Sequence, residues 1–452
     1  MSVNRRVFMR QVIAVGPVTM AFFIESDAFG AECGKPLIGP GDCTLPRPPT
    51  PERFIPNEPK VRLRLTARDL ADPSRASQLK AFRDAICLVR NLPPDNVTSW
   101  TKFVATHCVN CASSNTNNIH YNWQFLPWHR GLLYFLERLL RKLGKNDDIR
   151  LPYWDWENSA SRTLPSIYAP KDQPLYWANR NLTGPSWPLS NPDVNVQPLL
   201  AIPNFATFGG TATQRRPVPA VYSGPHANVH NAFYPGDMSN LQYSPRDPVF
   251  YAHHGNIDRL WASWAALHTV PDFGDARVFF YDENGKWRYV LFNDLRDEKK
   301  LGYQYSTLMK PTSTKLKSFP TPMQKNRIAL SAPMMAAVND TTPEFLIISN
   351  IQNLDKLPPA TVEFGIFSGN PPVGTDSATS PNFLGTASRV LSAGHDHPAD
   401  PLSTALDVTD KLGKMASPNK GAVDLFVAPL NPAGKTTAPA IPLVADSINL
   451  IG

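Results

Sequence analysis

Ten histidines are spread over 452 residues, and seven of them fall into two clusters. The first cluster holds His107, His120 and His129, the last two nine residues apart in "HYNWQFLPWHR". The second holds His226, His230, His253 and His254. His226 and His230 are spaced H-x-x-x-H, so on a helix both rings leave one face about a turn apart. That arrangement lets two imidazoles share one metal ion. Zinc sites usually mix in a cysteine or a carboxylate, and no glutamate follows His226, so the H-E-x-x-H pattern of zinc peptidases is absent. Two groups of three imidazoles suit copper, whose affinity for nitrogen ligands is high. A lone helical histidine is ordinarily a surface or capping residue. Seven histidines flanked by aromatic residues are a different case.

"HCVNC", residues 107–111, sets two cysteines beside the first of these histidines. Taken alone it reads as a zinc fragment, a redox pair or a disulfide anchor. The chain has five cysteines, Cys33, Cys43, Cys87, Cys108 and Cys111. In an oxidising compartment four would form two disulfides in one of three connectivities, with one left over. The first thirty residues point to such a compartment. Arg5 and Arg6 precede the apolar run "QVIAVGPVTMAFFI" and the small residues around Gly30, the pattern of a cleavable twin-arginine signal. The reading is export to a periplasm or out of the cell. The apolar run is too short to span a bilayer, so no stable membrane span is expected after processing.

Helical patterns must carry the histidines. "ASQLKAFRDAICLVRNL" and "RGLLYFLERLLRKLGK" repeat apolar residues at i, i+3, i+4, and the second ends in basic residues and Gly144. Further helical patterns cover "HANVHNAF" and "PVFYAHHGNIDRLWASWAALH". After about residue 275 strands replace helices. "RVFFYD" and "KWRYVLF" flank the turn signal "ENG". Residues 307–326 read as a linker. Beyond them "EFLIISNI", "ATVEFGIF", "SRVLSA", "AVDLFVAPL" and "SINLIG" suggest an antiparallel β-sandwich. The expected division is a signal segment at 1–30, a mainly α domain with an N-terminal arm at 31–306, the linker, and a β-sandwich domain at 327–452. Net charge is +7 without Lys/Arg blocks, so nucleic acid is not an expected partner. Proline, at 46 residues, is about twice its usual share, which implies many stiff loops. "HDH" at 395–397 reads as an exposed loop.

"IHYNWQFLPWHRGLLYFLERLL", "LPYWDWEN" and "SPRDPVFYAHHGNIDRLW" resemble the copper-binding regions of type-3 copper enzymes. The similarity is to the plant-type polyphenol oxidases, which include catechol oxidases and tyrosinases, and it runs from about residue 45 to 310. The resemblance implies a four-helix bundle holding two copper ions, copper A on His107, His120 and His129 and copper B on His226, His230 and His254. It leaves His253 beside the metal. It also implies a thioether from Cys111 to His120 and a disulfide from Cys108 to the arm at Cys43, with Cys33 then paired to Cys87. The arm lacks the adjacent cysteine pair typical of plant members.

The implied chemistry is oxidation of o-diphenols to o-quinones with O2 reduced to water, so O2 and small phenols are the expected partners. Tyrosinase activity on monophenols and o-aminophenol oxidation are the alternatives, and a haemocyanin-like O2 carrier is the non-enzymatic one. Four positions bear on the choice. Tyr222 stands where the family's glutamate orders a water that deprotonates monophenols, and Ala227 where an asparagine often accompanies tyrosinase activity. Asn231 is polar but not a base, and Leu241 stands where the gate over copper A is often phenylalanine. A neutral tyrosine, with a pKa of about 10, is a poor base near neutral pH, so diphenolase activity is expected. The C-terminal domain resembles one that shields the copper site in plant proenzymes, implying a latent form opened by cleavage in the linker.

Overall fold

The computed structural model describes residues 43–111, 118–184, 186–211, 218–313, 318–321, 323–324, 326–329, 343–390, 401–409, 411 and 422–451. The paired arginines, Cys33 and the 395–397 stretch lie outside them.

Two short strands, β1 (Glu52–Arg53) and β2 (Arg62–Arg64), precede the helices. After the one-turn α1 (Ala67–Leu70) come α2 (Ala76–Arg90), α3 (Trp100–Cys111) and α4 (Phe125–Leu143). Thr66 caps α1, its hydroxyl accepting from the Asp69 N–H at 2.8 Å. In α2 the buried residues Phe82, Ala85, Ile86 and Val89 recur at helical spacing and face the core. Pro93 and Pro94 follow it closely, and neither can extend the helix. In α4 both faces are buried, Trp128 and Phe135 as well as Leu132, Leu136 and Leu140, so it runs through the middle of the core. Arg141 and Lys142 in its last turn complement the helix dipole.

Three one-turn helices, α5 (Asn191–Val194), α6 (Gln197–Leu200) and α7 (Phe205–Phe208), occupy the loop-rich middle. The pattern over "HANVHNAF" yields α8 (Ala227–Asn231), shorter than expected. A wide turn over Tyr222–His226, with non-helical Gly224 and Pro225 inside it, takes the place of its first turn. The last helix, α9 (Val249–Ala265), packs against α4. No helix among the described residues is long and apolar enough to cross a membrane.

A hairpin of β3 (Arg277–Tyr281) and β4 (Trp287–Leu291) follows, and Gly285 in its turn takes φ +71°, a value that favours glycine. β1 adds to β4 in parallel, and β2 adds to β5 (Tyr303–Tyr305) in parallel. The arm is thereby stitched to chain far downstream. Beneath these strands lies a buried ionic cluster. Asp258 of α9 accepts from Arg130 of α4 at 2.5 Å and from the Tyr303 hydroxyl at 2.6 Å, and it also accepts from Tyr305. Arg64 of β2 bonds Glu137 at 2.9 Å, lies 3.6 Å from Asp258, and sits 3.4 Å over the Tyr303 ring. One carboxylate thus joins the arm, both central helices and β5.

The remaining strands form two antiparallel sheets. One runs β11 (Phe383–Ser388), β10 (Glu363–Ser368), β13 (Ala422–Leu430), β8 (Arg327–Ala329), β7 (Met323–Gln324), with β14 (Ile441–Pro442) also on β13. The other runs β12 (Leu402–Asp407), β9 (Phe345–Gln352), β15 (Val444–Ile451), β6 (Ser318–Thr321). Ile366, Val427, Ile348 and Leu450 are among the buried residues of this part. Three expectations shift. β6 and β7 lie inside the stretch expected to be linker. β6 is an edge strand paired with β15, and an edge tolerates its Pro320. Of "SRVLSA", Ser388 ends β11, Arg389 and Val390 contact the helical part, and the rest lies outside the described residues. β12, whose Ser and Thr blur the alternation, was not expected at all.

Replacing Asp258 with Ala takes the close carboxylate from buried Arg130 and leaves Arg64 with Glu137 alone, which should cost about 3–5 kcal/mol, read as a lower urea midpoint. A loss below about 1 kcal/mol would show that the cluster does not hold these elements together.

Candidate metal centre

The helices bring the seven histidines to one place, and all seven are buried. His107 comes from α3 and His129 from α4, while His120 comes from the short turn Ile119–Tyr121 between them. Their ring centroids lie 4.9 Å (His107–His120), 5.4 Å (His107–His129) and 5.1 Å (His120–His129) apart. The rings of His226, just before α8, and His230, within it, lie 4.6 Å apart. His254 of α9 lies 5.1 Å from His226 and 5.6 Å from His230. The sets meet where His129 and His254 stack with rings 4.2 Å apart and nearly parallel. In each cluster the candidate ligand atoms lie within 4.8 Å of one another, and in the second they include His253.

Main-chain carbonyls decide which ring nitrogens face inward. Carbonyls only accept, so an Nδ1 beside one carries the proton. His129 Nδ1 donates to Phe125 O at 2.7 Å, His230 Nδ1 to Met238 O at 2.6 Å and His226 Nδ1 to Tyr222 O at 3.3 Å. A lone pair is left on each Nε2. Nε2 of His107, His120, His129 and His226 has no hydrogen-bond partner among the described residues. Nε2 of His230 and His254 face each other at 3.4 Å. Burial, reinforced by neighbouring imidazoles, holds His107, His120, His226 and His254 well below the usual histidine range. Burial also takes His129 to about 3 and His230 to about 4, despite their carbonyl partners. Neutral imidazoles with converging lone pairs fit a cation on each set, and all-nitrogen donors fit copper.

The other expected residues are placed as follows. A disulfide joins Cys43 to Cys108. Cys87 is also disulfide-bonded, and Cys33 lies outside the described residues. Cys111 is a buried free thiol, its Sγ 3.5 Å from His107 Nδ1, and burial pushes the thiol upward. Tyr222 is fully buried with its ring 4.8 Å from His226 and 5.9 Å from His120. Its hydroxyl accepts from the Val390 N–H at 3.4 Å, and burial, then Tyr121, raises its pKa well above that of free tyrosine. Ala227 is buried at the start of α8. Asn231 donates to Arg389 O at 3.0 Å. Leu241 is buried, and its carbonyl lies 3.5 Å from Cys111 Sγ. A cleft of about 640 Å³ between the helical and β parts reaches Gly224, Pro225 and Asn228, and among the described residues no histidine lines it.

Two residues that sequence reading missed sit at the centre. Phe125 lies 4.9 Å from His129 and 4.8 Å from His226. Phe250 lies 4.2 Å from His254 and 5.1 Å from His107. Each stands four residues before a histidine on its own helix, a spacing visible in the sequence.

Comparison with known proteins adds the lineage. Residues 97–199 and 170–267 match the common central domain of tyrosinase, and residues 268–315 match the polyphenol oxidase middle domain. Both histidine clusters fall inside the first match. The chain belongs to the type-3 copper polyphenol oxidase family. It is 30% identical over 345 residues to aureusidin synthase of Antirrhinum majus, covering 64% of this chain and 60% of that protein. It is also 30% identical over 342 residues to the latent chloroplastic polyphenol oxidase of Prunus armeniaca, covering 63% and 57%. The match thus spans less than two thirds of these relatives' length. Grenache (Vitis vinifera) polyphenol oxidase superposes with a TM-score of 0.54 at 29% identity, over 62% of this chain and 96% of that one. Latent apple tyrosinase gives a TM-score of 0.64 over 89% of this chain and 100% of that one; at 23% identity this shows a shared fold. The cofactor of this type-3 copper chain is a pair of copper ions, which the two histidine sets fit.

Apoprotein titrated with copper should take up two ions per chain, and the His230→Ala variant one. Uptake of two by the variant would remove His230 from the site.

Proposed function

We propose that the chain is a polyphenol oxidase of the catechol oxidase kind, converting two o-diphenols and one O2 into two o-quinones and two waters. In this reading His107, His120 and His129 hold copper A, and His226, His230 and His254 hold copper B. The observation that carries it is the set of inward Nε2 atoms on buried neutral imidazoles. When bound, the copper pair supplies the redox capacity and the site for O2. The chain's residues supply the rest. Main-chain carbonyls orient the imidazoles, Phe125 and Phe250 wedge between them, and the packed rings exclude water.

Tyr222 favours diphenols. Monophenol hydroxylation calls for a base near the second metal. Tyr222 is a buried phenol with a strongly raised pKa whose oxygen accepts from Val390, so it stays protonated at neutral pH. Asn231 is no substitute, since an amide does not take a proton.

Cys111 is proposed to form a thioether to His120, which replaces one S–H and one ring C–H by a C–S bond with O2 as the oxidant. Residues 31–306 are proposed as the catalytic domain, with 307–326 as a cleavable connection and 327–452 as a shield. The contacts of Arg389 and Val390 with Asn231 and Tyr222 support that shield. Export by the Arg5–Arg6 signal completes the reading; relatives are named chloroplastic, which makes them targeted proteins too.

Copper-loaded chain, intact and nicked by limited proteolysis, should oxidise 4-methylcatechol to quinone, faster when nicked. Tyramine without a diphenol primer should react slowly. Copper-loaded protein that yields no quinone in either form would favour an O2 carrier, and rapid tyramine oxidation would favour a tyrosinase. The intact mass of the exported protein should correspond to cleavage after Gly30 and to loss of two hydrogens beyond the disulfides. A Cys111 that reacts with an alkylating agent would rule the thioether out.

A further inference from the structure

His253 poses a problem for the second metal. Its ring lies 4.8 Å from His230, 5.5 Å from His226 and 5.2 Å from His254, and it shares one ligand cluster with all three. Four imidazoles around one copper would make a tetragonal, all-nitrogen site, which suits Cu(II) and leaves less room for O2 or a phenol. Adjacent helical residues normally point about 100° apart, but here spacing has not separated them.

The difference is in the hydrogen bonding. The indole of Trp156 donates its Nε1–H to His253 Nδ1 at 3.2 Å. An indole N–H can only donate, so His253 Nδ1 must be the acceptor. A neutral imidazole has one lone-pair nitrogen, so the proton sits on His253 Nε2. Nε2 of His253 has no hydrogen-bond partner among the described residues, so nothing there competes with this assignment. Trp156 itself is clamped. It is fully buried, and Trp154 N donates to Ala252 O at 3.0 Å, one residue before His253. Glu157 accepts from Asn256 of the same helix at 2.8 Å. The "WDWE" segment therefore grips α9 on both sides of His253.

We propose that Trp156 is a positioning residue that fixes the His253 tautomer, denies its lone pair to the second copper and keeps that metal at three imidazoles. The inference rests on the copper reading above and concerns tautomer at constant charge.

Two measurements test it. In 15N-histidine-labelled apoprotein, with His253 assigned by comparison with His253→Gln, the long-range NMR pattern should show His253 protonated on Nε2. Protonation on Nδ1 would overturn the proposal, and this test needs no variant of Trp156. In a His107→Ala background, which leaves the second set to hold Cu(II), pulsed EPR should count three imidazole nitrogens. Adding Trp156→Phe should raise the count to four, and adding His253→Gln to that should restore three. In the otherwise unaltered chain Trp156→Phe should lower kcat on 4-methylcatechol about 10- to 100-fold. A count that stays at three in Trp156→Phe would refute the role of Trp156. A parent that binds no Cu(II) would instead speak against the copper reading, and the NMR result would still decide the tautomer.

Discussion

Seven buried imidazoles packed against one another can coexist only as neutral rings. Charging any of them would place a cation among apolar walls and beside other imidazoles, which burial penalises heavily. Neutrality leaves each ring one N–H and one lone pair, and the fold determines which nitrogen carries which. For His129, His226 and His230 the proton goes to a main-chain carbonyl and the lone pair turns inward. For His253 an indole donor reverses the choice. Nε2 of His230, left with a lone pair, faces Nε2 of His254 at 3.4 Å, where a proton or a cation can be shared between the two rings. The rest of the structure is arranged to keep these rings from turning away.

Several ties serve that end. The Cys43–Cys108 disulfide binds the arm to the residue beside His107. The Asp258 cluster fastens α9, the bearer of His254, to α4, the bearer of His129, at the next turn. On the second cluster the irregular turn Tyr222–His226 lacks regular helical bonds, and the β part steadies it. Ser223 donates to Ser403 O, Ser403 N donates to Val218 O at 3.1 Å, and Val390 N reaches Tyr222. A shield that also holds a ligand-bearing turn would couple access at the site to order within it.

Local patterns in the sequence were good guides to this centre. The H-x-x-x-H spacing, the aromatic-rich helix around His129 and the basic end of α4 are set by contacts within a few residues. Phe125 and Phe250 are equally local, each four residues before a histidine, but aromatic residues on core helices are common and the spacing alone does not single them out. What stayed hidden depends on distant partners. Nothing near Tyr222 announces Val390, and nothing in "LPYWDWEN" says which nitrogen of His253 its tryptophan will meet. Strand limits blurred for a related reason. β6 and β12 become strands by pairing with β15 and β9, and their own Pro, Ser and Thr residues argue against it.

The central claim is that two sets of three neutral imidazoles, and not four with three, each hold one copper. Anomalous diffraction at the copper edge from copper-loaded crystals tests it most directly. Two peaks per chain are predicted, one bonded to Nε2 of His107, His120 and His129, the other to Nε2 of His226, His230 and His254, with His253 outside bonding distance. A single peak, or a second copper bonded to His253, would contradict the account.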